Sequence, residues 1–347
     1  MYLHSLATAV PPNAFTQAEC WEILHASDVG TRLSARSMLI LRKVLTADNG
    51  IDRRHFATPD IENIFDRDVD SLNETFRREA PRLAGRALAG ALERASLRAE
   101  DLDALLICTC TGYLCPGLTS YVAEALGLRT DAYLQDLVGL GCGAAIPTLR
   151  AAGNVLAAQP EARVATVAVE ICSAAFYLDD DPGVLISACL FSDGAAAAIW
   201  TGRPGGERPL RAHDFQTLHR PADRELLRFE TRGGKLRNKL AKTVPEAAAR
   251  AVADLFASRG APAPGRVLAH PGGRDVLLAI RETIPAGDLT ESQAILRRHG
   301  NMSSPSVLFV LEEALAQNAP ADDLWLVSFG AGFSCHSCRL TTPTRNG

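Results

Sequence analysis

The segment "LVGLGCGAAIPTLRAA", Leu137 to Ala152, sets a cysteine between two glycines, after a short apolar run and ahead of an alanine-rich stretch expected to be helical. Cysteine attacks as thiolate, and the unpaired N–H groups and aligned dipole of a helix N-terminus stabilise negative charge. Flanking glycines permit a sharp approach and leave access for a bulky ester. Cys142 is therefore a candidate nucleophile. Two further polar residues stand in comparable settings, His270 in "AHPGG" and Asn301 in "HGNMSS". A histidine near the cysteine could hold the thiolate as an ion pair and later donate from Nε2 to a carbonyl oxygen. An asparagine amide aimed at that oxygen supplies a second donor, and two such donors form an oxyanion hole. Singly, each residue has a plainer reading. A buried cysteine is often packing, and "HPGG" alone reads as a strand-ending turn with a satisfied imidazole.

What ties the three together is the order of the elements around them. Ala80 to Leu97 reads as an amphipathic helix and Asp103 to Gly112 as a buried strand running into a turn. The helix "LTSYVAEALGL" follows, then the Cys142 loop with its helix to Ala158, the strand Arg163 to Ser173, and the stretch Ala188 to Thr201. This alternation predicts an α/β fold. The charged, Gly- and Pro-rich "TGRPGGERPLR" marks a boundary between halves, 1–205 and 206–347. Beyond it the order recurs. Thr111 to Cys142 is 31 residues, as is His270 to Asn301; Cys142 to Glu170 is 28, as is Asn301 to Phe329. The matched intervals predict a duplicated unit with Cys142 and Asn301 at equivalent places and His270 ending the strand before Asn301. Packed about a pseudo-twofold axis, the three polar groups converge where the strands end.

Composition narrows the class of function. The chain has 347 residues, 47% hydrophobic and 22% charged, enough for one large core or two ordinary domains. A formal charge of −4 gives no sign of nucleic-acid or anionic-membrane binding. Basic clusters such as "DRRH" and "LRRHG" read as solvated faces. No apolar run is long enough to span a bilayer, and "MYLHSLATAVPP" lacks a basic region followed by a long hydrophobic stretch, so a cytoplasmic location is expected. Nine cysteines dispersed over so long a chain are expected to stay reduced. The groups Cys108/Cys110/Cys115 and Cys335/His336/Cys338 have the residue types of a zinc site but not paired CxxC spacing, and they lie in or beside apolar β-like runs.

The motifs "GLGCGAA", "LFSDGAAAA", "AHPGG", "GNMSSPSVLF" and "GAGF", in this order and spacing, resemble the type III polyketide synthases, the chalcone synthase family with the thiolase fold. The resemblance runs from about residue 80 to 340 and is looser before that. It implies a thiolase-like α/β fold of duplicated αβαβα layered halves, a homodimer, and a catalytic triad of Cys142, His270 and Asn301. It implies acyl transfer from a CoA thioester to Cys142, then malonyl-CoA decarboxylation and attack of the enolate on that thioester, with no metal or redox cofactor. Phe191 of "LFSDG" matches an aromatic gate between the CoA tunnel and the cavity. Cys110, Cys172 and Ala175 fall where plant chalcone synthases have threonines lining the cavity, and Thr111, Ser303 and Gly332 belong to the same substrate-binding set. Cys115 matches a residue sent across the dimer interface into the neighbour's cavity. The second gate phenylalanine has two candidate positions, Asn238 by counting back from "TVP" and Phe229 as the nearby aromatic. Arg42 and Lys43 fall near the basic CoA-contacting segment, where a solvated helix face is an equal reading. The smaller, less polar walls imply an apolar starter, and "LLRFETRGGKLRNKL" resembles bacterial synthases that make alkylresorcinols and alkylpyrones from fatty acyl-CoA. The rival readings are a ketoacyl synthase III type initiator of fatty-acid synthesis, an aromatic-starter synthase, and a non-catalytic thiolase-fold binding protein.

Overall fold

A computed structural model describes the chain except residues 59–60, 206–208, 261, 286, 318–321 and 344–347. Nine strands among the described residues form one sheet: β1 (Tyr2–Ala9), β2 (Ala104–Cys108), β3 (Tyr133–Leu137), β4 (Arg163–Glu170), β5 (Gly194–Thr201), β6 (Leu210–His219), β7 (Arg266–Ala269), β8 (Asp323–Gly330) and β9 (Ser334–Thr341). Their order is β7-β8-β9-β6-β1-β5-β4-β2-β3. The first half contributes β1-β5-β4-β2-β3 and the second β6-β9-β8-β7, meeting where β1 and β6 run antiparallel through Tyr2 opposite Arg211 and Leu3 opposite Leu210. Outward from that seam the two halves have the same order, with β3 added at the edge of the first. The boundary expected at 205/206 adjoins residues 206–208, which lie outside the described residues.

Alternation along the strands builds the layers. In β5, Ala196, Ala198 and Trp200 face a central core holding helices Ala145–Ala158 and Ser306–Ala316, while Ala195, Ala197 and Ile199 face an outer core under helix Val69–Ala95. On the other side, Val267, Ala269, Trp325 and Val327 bury against helices Val244–Ser258 and Arg274–Thr283. The result is the αβαβα sandwich, with the two central helices covered on both sides. This explains why "SVLFVLEEALA" is apolar almost all round.

Three local readings shift. Helix Val69–Ala95 starts well before Ala80 and runs through Pro81, because Leu72, Phe76, Leu83, Ala84, Ala87, Leu88 and Ala91 make one continuous buried face. The matched 31-residue intervals contain different structure. A helix (Leu118–Leu126) and edge strand β3 lie between Thr111 and Cys142, whereas two helices (Arg274–Thr283 and Thr290–His299) lie between His270 and Asn301. Cys335 enters the core under helices Val244–Ser258 and Arg274–Thr283 and Cys338 the central one, so these two thiols cannot meet at one metal.

Candidate active site

Both central helices begin beside the same point. Cys142 sits on a single 3₁₀ turn, Gly141–Gly143, that feeds helix Ala145–Ala158. Asn301 follows Gly300, which ends helix Thr290–His299 and precedes helix Ser306–Ala316. His270 continues the line of β7 by donating its N–H to Val327 O at 2.8 Å. Cys142, His270, Asn301 and Ser303 are all buried.

A run of short contacts joins them. Ser303 Oγ donates to Cys142 Sγ at 3.1 Å, and Ser303 N donates to Asn301 Oδ1 at 2.8 Å. Asn301 Nδ2 donates to Gly272 O at 3.1 Å, and Gly272 N donates to His270 O at 2.9 Å. The structure thus brings the three spaced residues to one place. It also fixes the Asn301 amide, since Oδ1 is held by an N–H and Nδ2 spends one of its two hydrogens on a carbonyl. Phe329 lies edge-on to the His270 ring, with centroids 5.2 Å apart. Next to Phe329, Gly330 comes so close to the nucleophile turn that a Cβ there would be 2.6 Å from Gly143 N and 3.0 Å from Cys142 N. Gly141, at φ +57°, makes the matching approach to Ala331. The "GAGF" segment is therefore the anvil that shapes the cysteine turn.

Burial acts against the thiolate–imidazolium pair expected from the sequence. Burial pushes the Cys142 thiol up to about 12, against the opposing hydrogen bond from Ser303, and the Glu170 carboxylate adds to the rise. Burial also holds His270 down to about 3. Its Nδ1 has no partner among the described residues. Removal from water therefore favours the neutral form of each group. Glu170, at the end of β4, is buried and accepts from Thr111 Oγ1 at 2.8 Å, Cys110 N at 2.9 Å and Ser304 Oγ at 2.5 Å. Burial raises its carboxyl. Sequence reading used Glu170 and Phe329 only as interval markers; a carboxylate and an aromatic at equivalent strand ends were the available signal.

A narrow cavity adjoins these residues. Its walls include Cys110, Thr111, Cys172, Ala175, Phe191 and Ser303, all expected there. Phe229 and Asn238, the two candidates for the second gate, both line it, because they are cross-strand partners in the ribbon Leu227–Arg232/Lys235–Leu240. The free volume is about 40 Å³, room for about three waters. Gly332 lies instead in a wide outer depression shared with Tyr113, Val138 and Gly141. Cys115 is exposed, outside this chain's cavity walls. Arg42 and Lys43 are exposed on helix Ala35–Thr46, which packs against helix Pro182–Leu190 behind the cavity wall. No described helix is long and apolar enough to cross a membrane.

Comparison with known proteins agrees with this architecture. The profile of the family described as FAE1/Type III polyketide synthase-like protein matches residues 6–255, and that of the 3-oxoacyl-[acyl-carrier-protein] synthase III C-terminal region matches residues 266–342. The chain is 30% identical to a 1,3,6,8-tetrahydroxynaphthalene synthase of Streptomyces peucetius subsp. caesius, covering 94% of this chain and 89% of that one. It is 27% identical to a 3,5-dihydroxyphenylacetyl-CoA synthase of Streptomyces toyocaensis, covering 94% and 86%. The crystal structure of 1,3,6,8-tetrahydroxynaphthalene synthase from Streptomyces coelicolor A3(2) superposes with a TM-score of 0.88 at 25% identity, covering 99% and 100%. With a family match over most of its length and a thiolase-like sandwich that sets cysteine and asparagine at the heads of its two central helices and histidine at the end of β7, this chain belongs to the type III polyketide synthases, a family of condensing acyltransferases.

Proposed function

We propose that this chain condenses malonyl-CoA units onto a short acyl starter held on Cys142 and closes the product to a small hydroxylated ring. The observation that carries the reading is the fixed Asn301 amide, which keeps one N–H unspent beside the cysteine and histidine. The Cys142 thiol gives its proton to His270 as its sulfur attacks the thioester carbonyl, and CoA leaves as a thiol on taking that proton. Malonyl-CoA next loses CO₂, and the electron pair of the broken C–C bond becomes an enolate. Its oxygen takes hydrogen bonds from Asn301 Nδ2 and the neutral His270 ring. The enolate carbon attacks the Cys142 thioester, the C–S bond breaks, and the sulfur takes up a proton that His270 relays from solvent water.

A short starter suits the narrow inner end of the cavity, whose Cys110, Thr111, Phe229 and Leu236 also line the wide outer depression. The relatives point the same way, since both are named for aromatic rings bearing hydroxyls and no alkyl tail. The fatty-acyl starter expected from Cys110, Cys172 and Ala175 has apolar support in Val184, Ala188 and Leu236. A homodimer is supported by the exposed Tyr113, Tyr133, Leu134 and Val138, the middle pair on edge strand β3.

Product analysis after incubation with malonyl-CoA alone, with fatty acyl-CoA added, and with malonyl carrier protein tests the reading. Malonyl-CoA alone should give ring products, and Asn301→Ala should lower the yield by roughly 10²-fold. Products formed only with fatty acyl-CoA would overturn the short starter. Extension only from the carrier protein would place the activity with the ketoacyl synthases.

A further inference from the structure

The cavity wall contains one buried acceptor that the condensation chemistry above does not use. Asn238 is 5% exposed and lines the cavity from the ribbon opposite Phe229. Ser187 Oγ donates its single hydrogen to Gly183 O at 2.6 Å, within helix Pro182–Leu190. That hydroxyl can then only accept from Asn238, and Asn238 Nδ2 lies 2.8 Å away as the donor. The amide cannot turn round without setting its oxygen against an oxygen with no hydrogen to give. Oδ1 is consequently held as an acceptor, and no donor among the described residues reaches it. A buried carbonyl oxygen without a partner carries a desolvation cost that a bound donor would remove.

The ribbon's alternation keeps the device in place. Leu236 and Asn238 face the cavity, whereas Arg237 between them pairs with Asp181. Of the other walls, Cys172, Ala175, Val184, Ala188, Phe191 and Leu236 are sulfur, methyl and ring surface, Thr111, Ser187 and Ser303 already donate their hydroxyl hydrogens to Glu170, Gly183 O and Cys142, and Tyr177 adds a phenol. A polar group of the guest meets few alternatives there.

We propose that Asn238 is a specificity-determining residue, whose locked Oδ1 accepts a hydrogen bond from an enol or phenol hydroxyl of the growing or cyclised polyketide. Resting on the proposed malonyl condensation, this assigns the cavity to guests bearing O–H donors on alternate carbons rather than to plain alkyl chains. Ketones held in the enol form present such a donor to Oδ1; an alkyl chain leaves the oxygen buried and unpaired.

Two variants of similar shape separate hydrogen bonding from gating by bulk. Asn238→Leu removes the acceptor. Asn238→Asp, kept protonated by burial, can donate to Ser187 and present the same carbonyl oxygen. Calorimetry with phloroglucinol as the probe reads the interaction without turnover. The wild type and Asn238→Asp should bind alike, and Asn238→Leu about fivefold more weakly, the scale of one neutral hydrogen bond. In turnover, Asn238→Leu should lower the ratio of cyclised aromatic to truncated pyrone by a similar factor. Wild-type affinity in Asn238→Leu, or equal weakening in both variants, would overturn the proposal. A wild type that releases no CO₂ from malonyl-CoA would instead refute the proposed condensation and leave the phloroglucinol comparison to decide this one.

Discussion

Ser303 donates a hydrogen bond to the sulfur of Cys142 at 3.1 Å from a backbone at φ +60°, a conformation that a serine adopts only under constraint. The constraint comes from Ser303 N, which is held by Asn301 Oδ1. One short turn therefore orients the amide and supports the thiol together. Ser303→Ala should raise the thiol further and slow alkylation of Cys142 by iodoacetamide on the order of tenfold at fixed pH. A pH profile of alkylation checks this. An unmoved profile would show that the contact does not support the thiolate.

The neutral His270 has a consequence for acid stability. In the unfolded chain it binds a proton below about pH 6.5, whereas burial in the fold delays protonation to about pH 3. Between these values the unfolded state holds the extra proton, so stability is lost as pH falls. His270→Gln removes that difference. Its unfolding free energy should fall less steeply than the wild type's, by up to about 1.4 kcal/mol per pH unit. Urea unfolding at about pH 7, 6 and 5 measures both slopes, and equal slopes would contradict a neutral resting imidazole.

Ala175 is one of two alanines in the cavity wall, and the free volume of the cavity is about 40 Å³. Ala175→Phe should fill that space, since the added ring is larger than the room available. Chain extension should stop earlier, giving shorter pyrones, while Cys142 still accepts a small acyl group. Mass spectrometry of the products decides. An unchanged product profile would remove this cavity from the control of chain length.

The sequence made the three polar residues legible because chemistry and repetition coincide in them. Equal spacing tied Cys142 to Asn301, and the fold sets both at the heads of the two central helices. The same spacing hid a difference, since β3 in one half is replaced by helix Thr290–His299 in the other. Two features depended on three dimensions. Phe229 and Asn238 seemed competing candidates nine positions apart, yet strand pairing sets them face to face. Residue type and a helix end point to a charged pair, whereas burial favours the neutral forms of Cys142 and His270. The hydrogen bonds that lock Asn301 and Asn238 use Gly272 O and Ser187 Oγ, partners that no periodicity announces.

The central claim is that Cys142 carries the growing chain, and intact-protein mass spectrometry with peptide mapping tests it most directly. After brief exposure to malonyl-CoA, the wild type should gain an acyl group on the peptide containing Cys142. Cys142→Ala should fold, gain no acyl group and form no polyketide. Acylation at another residue, or polyketide formation by Cys142→Ala, would contradict the account.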